Sequence, residues 1–148
     1  MATYAQIVHH IVFSTKNRDR VLSPDRLEDL FRYIWGIIKN KRCRLYRIGG
    51  TSDHVHILTS LHPTVCLADF VREIKTYASK WIKENRVFPL FRYWQDGYSA
   101  FTLSSAERQA VIDYIKGQEE HHRHRSFREE LKEFLVANGV DFDEKYFS

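Results

Sequence analysis

Two short segments of this chain hold the residue types best suited to chemistry. The first is Asp53-His54-Val55-His56, in which one residue separates two histidines. On an extended strand, alternate side chains leave the same face, so His54 and His56 project together while Val55 and Ile57 point the other way. Two adjacent imidazoles can present nitrogen ligands to one metal ion. Asp53 stands where it can orient one ring from behind. A pair of surface histidines on a wet sheet face satisfies the same spacing. Two histidines are also an incomplete reactive site, because a catalytic metal usually has a third protein ligand and open positions.

The second segment is Tyr114-Ile115-Lys116-Gly117-Gln118. Residues four apart on a helix share a face, so Tyr114 and Gln118 lie together, apart from the apolar stripe of Val111, Ile112 and Ile115. Gln118 offers a carbonyl oxygen to a hard cation such as Mg²⁺ or Mn²⁺. Tyr114 offers a phenolic oxygen that can attack phosphorus once deprotonated or hydrogen-bonded to a base. A packing tyrosine and a surface glutamine fit the same positions. Gly117, between them, costs a helix about 1 kcal/mol relative to alanine, and marks either a close approach or a fraying point.

These residues need elements to position them. Gln6 to Ser14 is a β-branched and aromatic run and reads as a strand. Ser23-Pro24 opens a helix whose apolar stripe is Leu27, Leu30, Phe31, Ile34, Ile37 and Ile38, running to about Lys41. Arg44–Gly50 and His54–Leu61 read as a hairpin across the Thr51-Ser52-Asp53 turn. Pro63-Thr64 opens a second helix, carried by Leu67, Phe70, Val71, Ile74, Ala78, Trp81 and Ile82. Phe88 to Gly97 is a loop, and Tyr98–Leu103 a fourth strand. Ser104 or Ser105 caps a third helix that holds Tyr114 and runs to about His121. Ser126 caps a fourth through Leu131, Phe134 and Leu135, ending at Asn138-Gly139. The order β-α-β-β-α-β plus two helices predicts an α+β fold of ferredoxin-like, split βαβ type, with a four-stranded antiparallel sheet. Two helices cover one sheet face; they leave the other open, and something must use it or cover it.

Length and composition set the outer limits. The 148 residues suit one domain spanning 1–148, and 43% hydrophobic with 14% aromatic residues suffices for a packed core. No apolar run approaches the roughly 18 residues that span a bilayer, and the first ten residues do not read as a secretion signal, so a cytoplasmic, membrane-free protein is expected. Cys43 and Cys66 have no ligand spacing and read as idle thiols. A net charge of +4 permits a nucleic-acid partner without requiring one. The chain carries no phosphate-cradling glycine loop: neither GxxxxGK[ST] nor GxGxxG occurs, as suits chemistry that needs no ATP.

Taken together, four segments resemble one family. Gly49-Gly50-Thr51-Ser52-Asp53-His54-Val55-His56-Ile57-Leu58 resembles the histidine strand of the HUH-type single-tyrosine transposases of small insertion sequences. Tyr114 through His122 resembles their nucleophile helix, His9 through Lys16 their first strand, and Trp94 through Phe101 the start of their fourth. Each motif alone is weak, but four in order over nearly the whole chain are specific. The resemblance implies that His54 and His56 bind a divalent metal, that Gln118 is its third ligand and that Tyr114 is the nucleophile. It further implies a homodimer, with the tyrosine helix of one subunit able to serve the other. The implied substrate is single-stranded DNA, at element ends next to imperfect hairpins, cleaved and rejoined through a 5′-phosphotyrosine. A domesticated relative serving repeated palindromic elements would share the same residues.

Candidate phosphate contacts are Lys16, Arg18 and Arg20 after the first strand, Lys75 on the second helix, and His122, Arg123 and Arg125 after the tyrosine. Tyr93 and Trp94 are candidates to stack on unpaired bases. Two other readings compete. One is a non-catalytic single-strand-binding module that uses an open sheet face. The other is a small metal-dependent hydrolase or metal-responsive regulator. Neither gives Tyr114 a role.

Overall fold

The computed structural model describes residues 1–122, 125–143 and 145. Four strands, β1 (Val8–Ser14), β2 (Arg44–Gly50), β3 (His54–Ser60) and β4 (Ser99–Leu103), form one antiparallel sheet in the order β2-β3-β1-β4. This is the expected split βαβ order. Helices α1 (Pro24–Asn40) and α2 (Leu67–Glu84) lie on one face. Their apolar stripes meet Ile11, Phe13, Val55 and Ile57 from β1 and β3, all buried, in a core that also holds Leu30, Ile34, Ile38, Phe70, Ile74 and Ile82. The period-2 strands and 3.6-period helices therefore point their apolar residues at one another.

The second face, which something had to use or cover, is covered. Three further helices, α3 (Arg108–Lys116), α4 (Gln118–His121) and α5 (Phe127–Ala137), follow β4. Ile115 packs on Val8 and Leu58 of the sheet, with Val111 and Ile112 beside it. Farther along the face, Leu135 of α5 packs on Phe101. The face carries too much apolar surface to leave to water, so the C-terminal helices close over it.

Three element ends also differ. β1 starts at Val8, two residues later than the residue types suggest. Helix α2 begins at Leu67, not at Pro63-Thr64, because His62 holds that stretch in a turn: its carbonyl accepts from Val65 N at 2.9 Å and its Nδ1 from Thr64 N at 3.2 Å. The third helix is interrupted at Gly117, which separates α3 from α4. Ser104 sits before this helix without capping it, donating to Glu107 Oε1 from its backbone N at 3.0 Å and its hydroxyl at 2.9 Å. By contrast, Ser126 caps α5 as expected, accepting from Glu129 N at 3.2 Å.

Gly49 makes the docking of α3 possible. A Cβ built there would fall 2.7 Å from Ile115 Cγ2 and 2.9 Å from Ile115 O. Only a residue without a side chain lets the tyrosine helix come this close to β2. Among the described residues, no helix is long and apolar enough to cross a membrane.

Candidate active site

The sheet brings three histidines to the face beneath α3–α5. His54 and His56 leave β3 on this face, and His10 leaves β1 beside them. All three are buried, at 0%, 0% and 2% exposure. The wet surface pair that the spacing allowed is thereby removed. His10 Nε2 lies 2.8 Å from His56 Nδ1, on a cross-strand diagonal. Behind His54, the Nδ1 donates to Asp53 Oδ1 at 2.8 Å, the orienting contact anticipated for that aspartate.

The helices supply the rest. His54 Nε2 and Gln118 Oε1 are 2.9 Å apart, although 64 positions separate them in the chain. Tyr114 is half-buried on the same side, its ring 6.1 Å from that of His56. The four residues expected to act together, His54, His56, Tyr114 and Gln118, are thus assembled within a single chain.

At the centre stands a residue that the sequence reading passed over. Glu130 of α5 is fully buried, and its Oε1 lies 2.8 Å from His56 Nε2 and 3.4 Å from His54 Nε2. Its Oε2 accepts from Gln118 Nε2 at 3.2 Å, faces His122 Nε2 at 3.0 Å, and also accepts the Tyr114 hydroxyl. One signal for it was present. Glu130 falls three after Phe127 and four before Phe134, inside the apolar stripe of α5, where an unpaired carboxylate would be costly. Phe127 and Phe134 flank it in space: Phe127 stacks on His54 at 4.2 Å, and Phe134 meets His10 edge-on at 5.0 Å. His10 was the other omission. It falls on the site face of β1 by simple alternation with Val8 and Val12.

The charges follow from these contacts. Burial pulls His54 down, but its hydrogen bonds to Asp53 and Glu130 outweigh this and carry it up to about 9. Burial lowers His56 to about 4, with the nearby His54 charge adding to the fall against the pull of Glu130. His10 is lowered to about 3, again chiefly by burial. Burial would raise Glu130, yet bonds from His122, His54 and His56 hold it far below the usual carboxylate range. Tyr114 is pushed well above an ordinary phenol by burial and by the Glu130 carboxylate. In this arrangement the phenol is therefore protonated and donates to Glu130.

Of the expected phosphate contacts, two belong to the site itself. Arg125 donates to the Tyr114 hydroxyl at 2.5 Å and also pairs with Glu133, while His122 lies against Glu130. Lys75 is half-buried, with its ammonium on the backbone carbonyls of Gln95, at 2.8 Å, and Gly97. Lys16 lies over the Tyr93 ring at 5.9 Å, with Arg18 beside it in the same short 3-10 turn and Arg20 exposed just beyond. Arg123 lies outside the described residues. Trp94 does not present a stacking surface. It is 5% exposed and packs edge-on against Phe13 and Phe91, whereas Tyr93 beside it is 49% exposed.

The donor set suits a divalent cation. His54, His122 and Glu130 alone place ligand atoms within 4.8 Å of one another, and His56 and Gln118 border the same space with further nitrogen and oxygen donors. Nitrogen and oxygen donors with a buried carboxylate fit a hard or borderline ion.

The chain is 24% identical over 123 residues to the ISDra2 transposase TnpA of Deinococcus radiodurans, covering 76% of this chain and 84% of that one. It is also 24% identical over 115 residues to the transposase for insertion sequence element IS200 of Salmonella typhimurium, covering 74% of this chain and 75% of that one. Two solved structures share the fold at a TM-score of 0.62. One, from D. radiodurans R1, is described as a transposase, with 22% identity over 80% of this chain and 95% of that one. The other is a REP-associated tyrosine transposase bound to a REP hairpin, with 16% identity over 82% of this chain and 74% of that one. The model of the family described as Transposase IS200 like matches residues 3–118, which takes in the histidine strand and ends on Gln118, and the chain belongs to that family.

Proposed function

We propose that this transposase cleaves and rejoins single-stranded DNA through a covalent 5′-phosphotyrosine on Tyr114, with His54, His56 and Gln118 holding a divalent metal of the Mg²⁺ or Mn²⁺ type. The observation that carries the reading is the convergence of Tyr114 and Gln118 from α3 and α4 on the two histidines of β3, with Gln118 Oε1 2.9 Å from His54 Nε2. A packing tyrosine and a surface glutamine have no reason to meet there.

When bound, the cation would polarise the scissile phosphate and offset charge on its oxygens. Asp53 and His10 hold the two imidazole rings so that each Nε2 faces the site. Tyr114 supplies the attacking oxygen: its bond to phosphorus forms as the bond to the 3′ oxygen breaks. The phenol gives up its proton along its hydrogen bond to Glu130, and the departing 3′ oxygen takes up one proton from solvent and leaves as a 3′ hydroxyl. Arg125, on the phenolic oxygen, favours the charged form that attacks. One phosphoester replaces another, so a 3′ hydroxyl can reverse the step and reseal a strand without ATP.

The partner is single-stranded DNA, and hairpin-bearing ends are supported by the relative solved with a REP hairpin. Phosphate contacts from Lys16, Arg18 and Arg20 fit the charge carried after β1. A homodimer, in which the tyrosine helix of one subunit can serve the other, belongs to the same proposal. The cytoplasm is the proposed compartment.

Labelled single-stranded DNA from the flanks of the gene, incubated with Mg²⁺ or Mn²⁺, tests the reading. A protein–DNA adduct should resist denaturing electrophoresis and should vanish in Tyr114→Phe, in His56→Ala and with EDTA. DNA binding with no adduct, and equal binding by both variants, would leave the single-strand-binding module in its place.

A further inference from the structure

We infer that Glu130 is a fourth protein ligand of the metal, contributed by α5, and that its second oxygen positions Tyr114 beside that metal. The inference rests on the metal site proposed above and adds to it a residue beyond the His-x-His and Tyr-x-x-x-Gln pattern.

Charge is the first argument. His54, His56 and Gln118 are neutral as ligands and together offer a divalent cation no compensating charge. Mg²⁺ is normally held through one or two carboxylates, and hard cations prefer oxygen. Glu130 brings a carboxylate, fully buried, into that donor set.

Spacing is the second. Ligands at adjacent corners of an octahedral site with bonds of about 2.1 Å stand about 3 Å apart. Glu130 Oε1 is 2.8 Å from His56 Nε2 and 3.4 Å from His54 Nε2, and Gln118 Oε1 is 2.9 Å from the same His54 nitrogen. These separations fall near that spacing. Without the ion, protons on the imidazoles bridge the same gaps.

Rigidity is the third. Phe127, three residues before Glu130, stacks on His54, and Phe134, four after, packs at 5.8 Å on Phe101 and edge-on at 5.4 Å to Tyr114. The carboxylate is thus fixed from both sides by its own helix, as a ligand must be. Its Oε2 receives the Tyr114 hydroxyl and Gln118 Nε2. One carboxylate therefore ties ligand, nucleophile and metal together. Tyr114, His122 and Arg125 are only partly buried, and their side of the site is the open approach for a phosphate.

Titration calorimetry of the full chain with MnCl₂, in the absence of DNA, tests this, with free Mn²⁺ followed in parallel by electron paramagnetic resonance. Wild type, His56→Ala, Glu130→Ala and Glu130→Gln are compared after circular dichroism has shown them folded. The inference expects Glu130→Ala to bind at least about tenfold more weakly than wild type, with Glu130→Gln between them because it keeps an oxygen without the charge. Unchanged affinity in both Glu130 variants, with loss in His56→Ala, would overturn the inference and leave the histidine site standing. Tighter binding in Glu130→Ala would also overturn it, and would make the carboxylate a competitor for the metal's place. Wild-type affinity in His56→Ala would instead remove the metal site on which the inference rests. If Glu130→Ala is unfolded, Glu130→Gln alone decides: wild-type affinity overturns the inference and weakened affinity supports it.

Discussion

His10 Nε2 and His56 Nδ1 stand 2.8 Å apart, and the Glu130 carboxylate on the other nitrogen of His56 decides which of the two donates. Glu130 can only accept at His56 Nε2, so that nitrogen is the donor and Nδ1 accepts from His10. A metal on His56 Nε2 would reverse the assignment, placing the proton on Nδ1 and making His10 Nε2 the acceptor. His10 can take either part because a neutral imidazole offers one donor and one acceptor. His10→Ala removes this partner without touching a proposed ligand. Its Mn²⁺ affinity should fall by about 10- to 100-fold in calorimetry, the usual effect of losing an orienting partner. An affinity within twofold of wild type would reduce His10 to a packing role.

Gly49 and Ile115 give the second prediction. The Ile115 carbonyl would lie 2.9 Å from a new Cβ, and backbone cannot yield as a side-chain tip does. Gly49→Ala must therefore push α3 off β2, at a cost of about 1–3 kcal/mol. For a chain of this size the melting temperature should drop by roughly 3–10 °C. Tyr114 is the residue before Ile115, so adduct formation should fall more steeply than DNA binding. A variant as stable and as active as wild type would show that the approach is not needed.

Much of this was legible in the sequence, and the parts that were not share a cause. The strands and the first two helices follow from alternation and the 3.6 period, because their partners lie on one face and the pattern is one-sided. The His-x-His pair was readable because both histidines lie in one strand, and Tyr114-x-x-x-Gln118 because helical spacing puts both residues on one face, although Gly117 divides that helix into α3 and α4. Glu130 was harder to read: its place in the apolar stripe of α5 marks it as unusual, but its partners are 8 to 76 positions away and only the fold shows which groups meet its charge. What covers the second face was hidden for a similar reason. Val8, Leu58 and Phe101 come from three strands, and their summed apolar surface appears only once the strands are side by side. Trp94 resembled a stacking platform because its burial depends on Phe13 and Phe91, from an earlier strand and the same loop.

Lys75 and Arg20 separate structural cations from DNA contacts. The Lys75 ammonium lies on the carbonyls of Gln95 and Gly97, so it pins the segment before β4 to α2. Lys75→Met leaves those carbonyls without their donor and should cost about 1–3 kcal/mol in denaturant melts. The salt dependence of DNA binding should stay unchanged. Arg20 is exposed on the segment that follows β1. Arg20→Ala should leave the melt unchanged and lower the slope of log affinity against log salt by about 1. If Lys75→Met lowers the slope as well, its ammonium reaches phosphate in the complex.

The buried histidines should give the metal-free protein a stability maximum in pH. His54 is raised to about 9 from 6.5, so its contribution is complete below 6.5 and is lost as pH rises through 9. His56 and His10 are lowered to about 4 and about 3, so the folded protein keeps them neutral while the unfolded chain takes up protons below 6.5. Stability therefore also falls as pH drops from 6.5 toward 4. In EDTA, the melting temperature should peak near pH 6.5 and decline on both sides. His54→Gln removes the alkaline decline specifically, because no imidazolium is then left between Asp53 and Glu130 to lose its proton. The acid decline should persist in that variant, since His56 and His10 remain buried. An alkaline limb that survives His54→Gln would assign it to another group and would contradict a charged His54 between the two carboxylates.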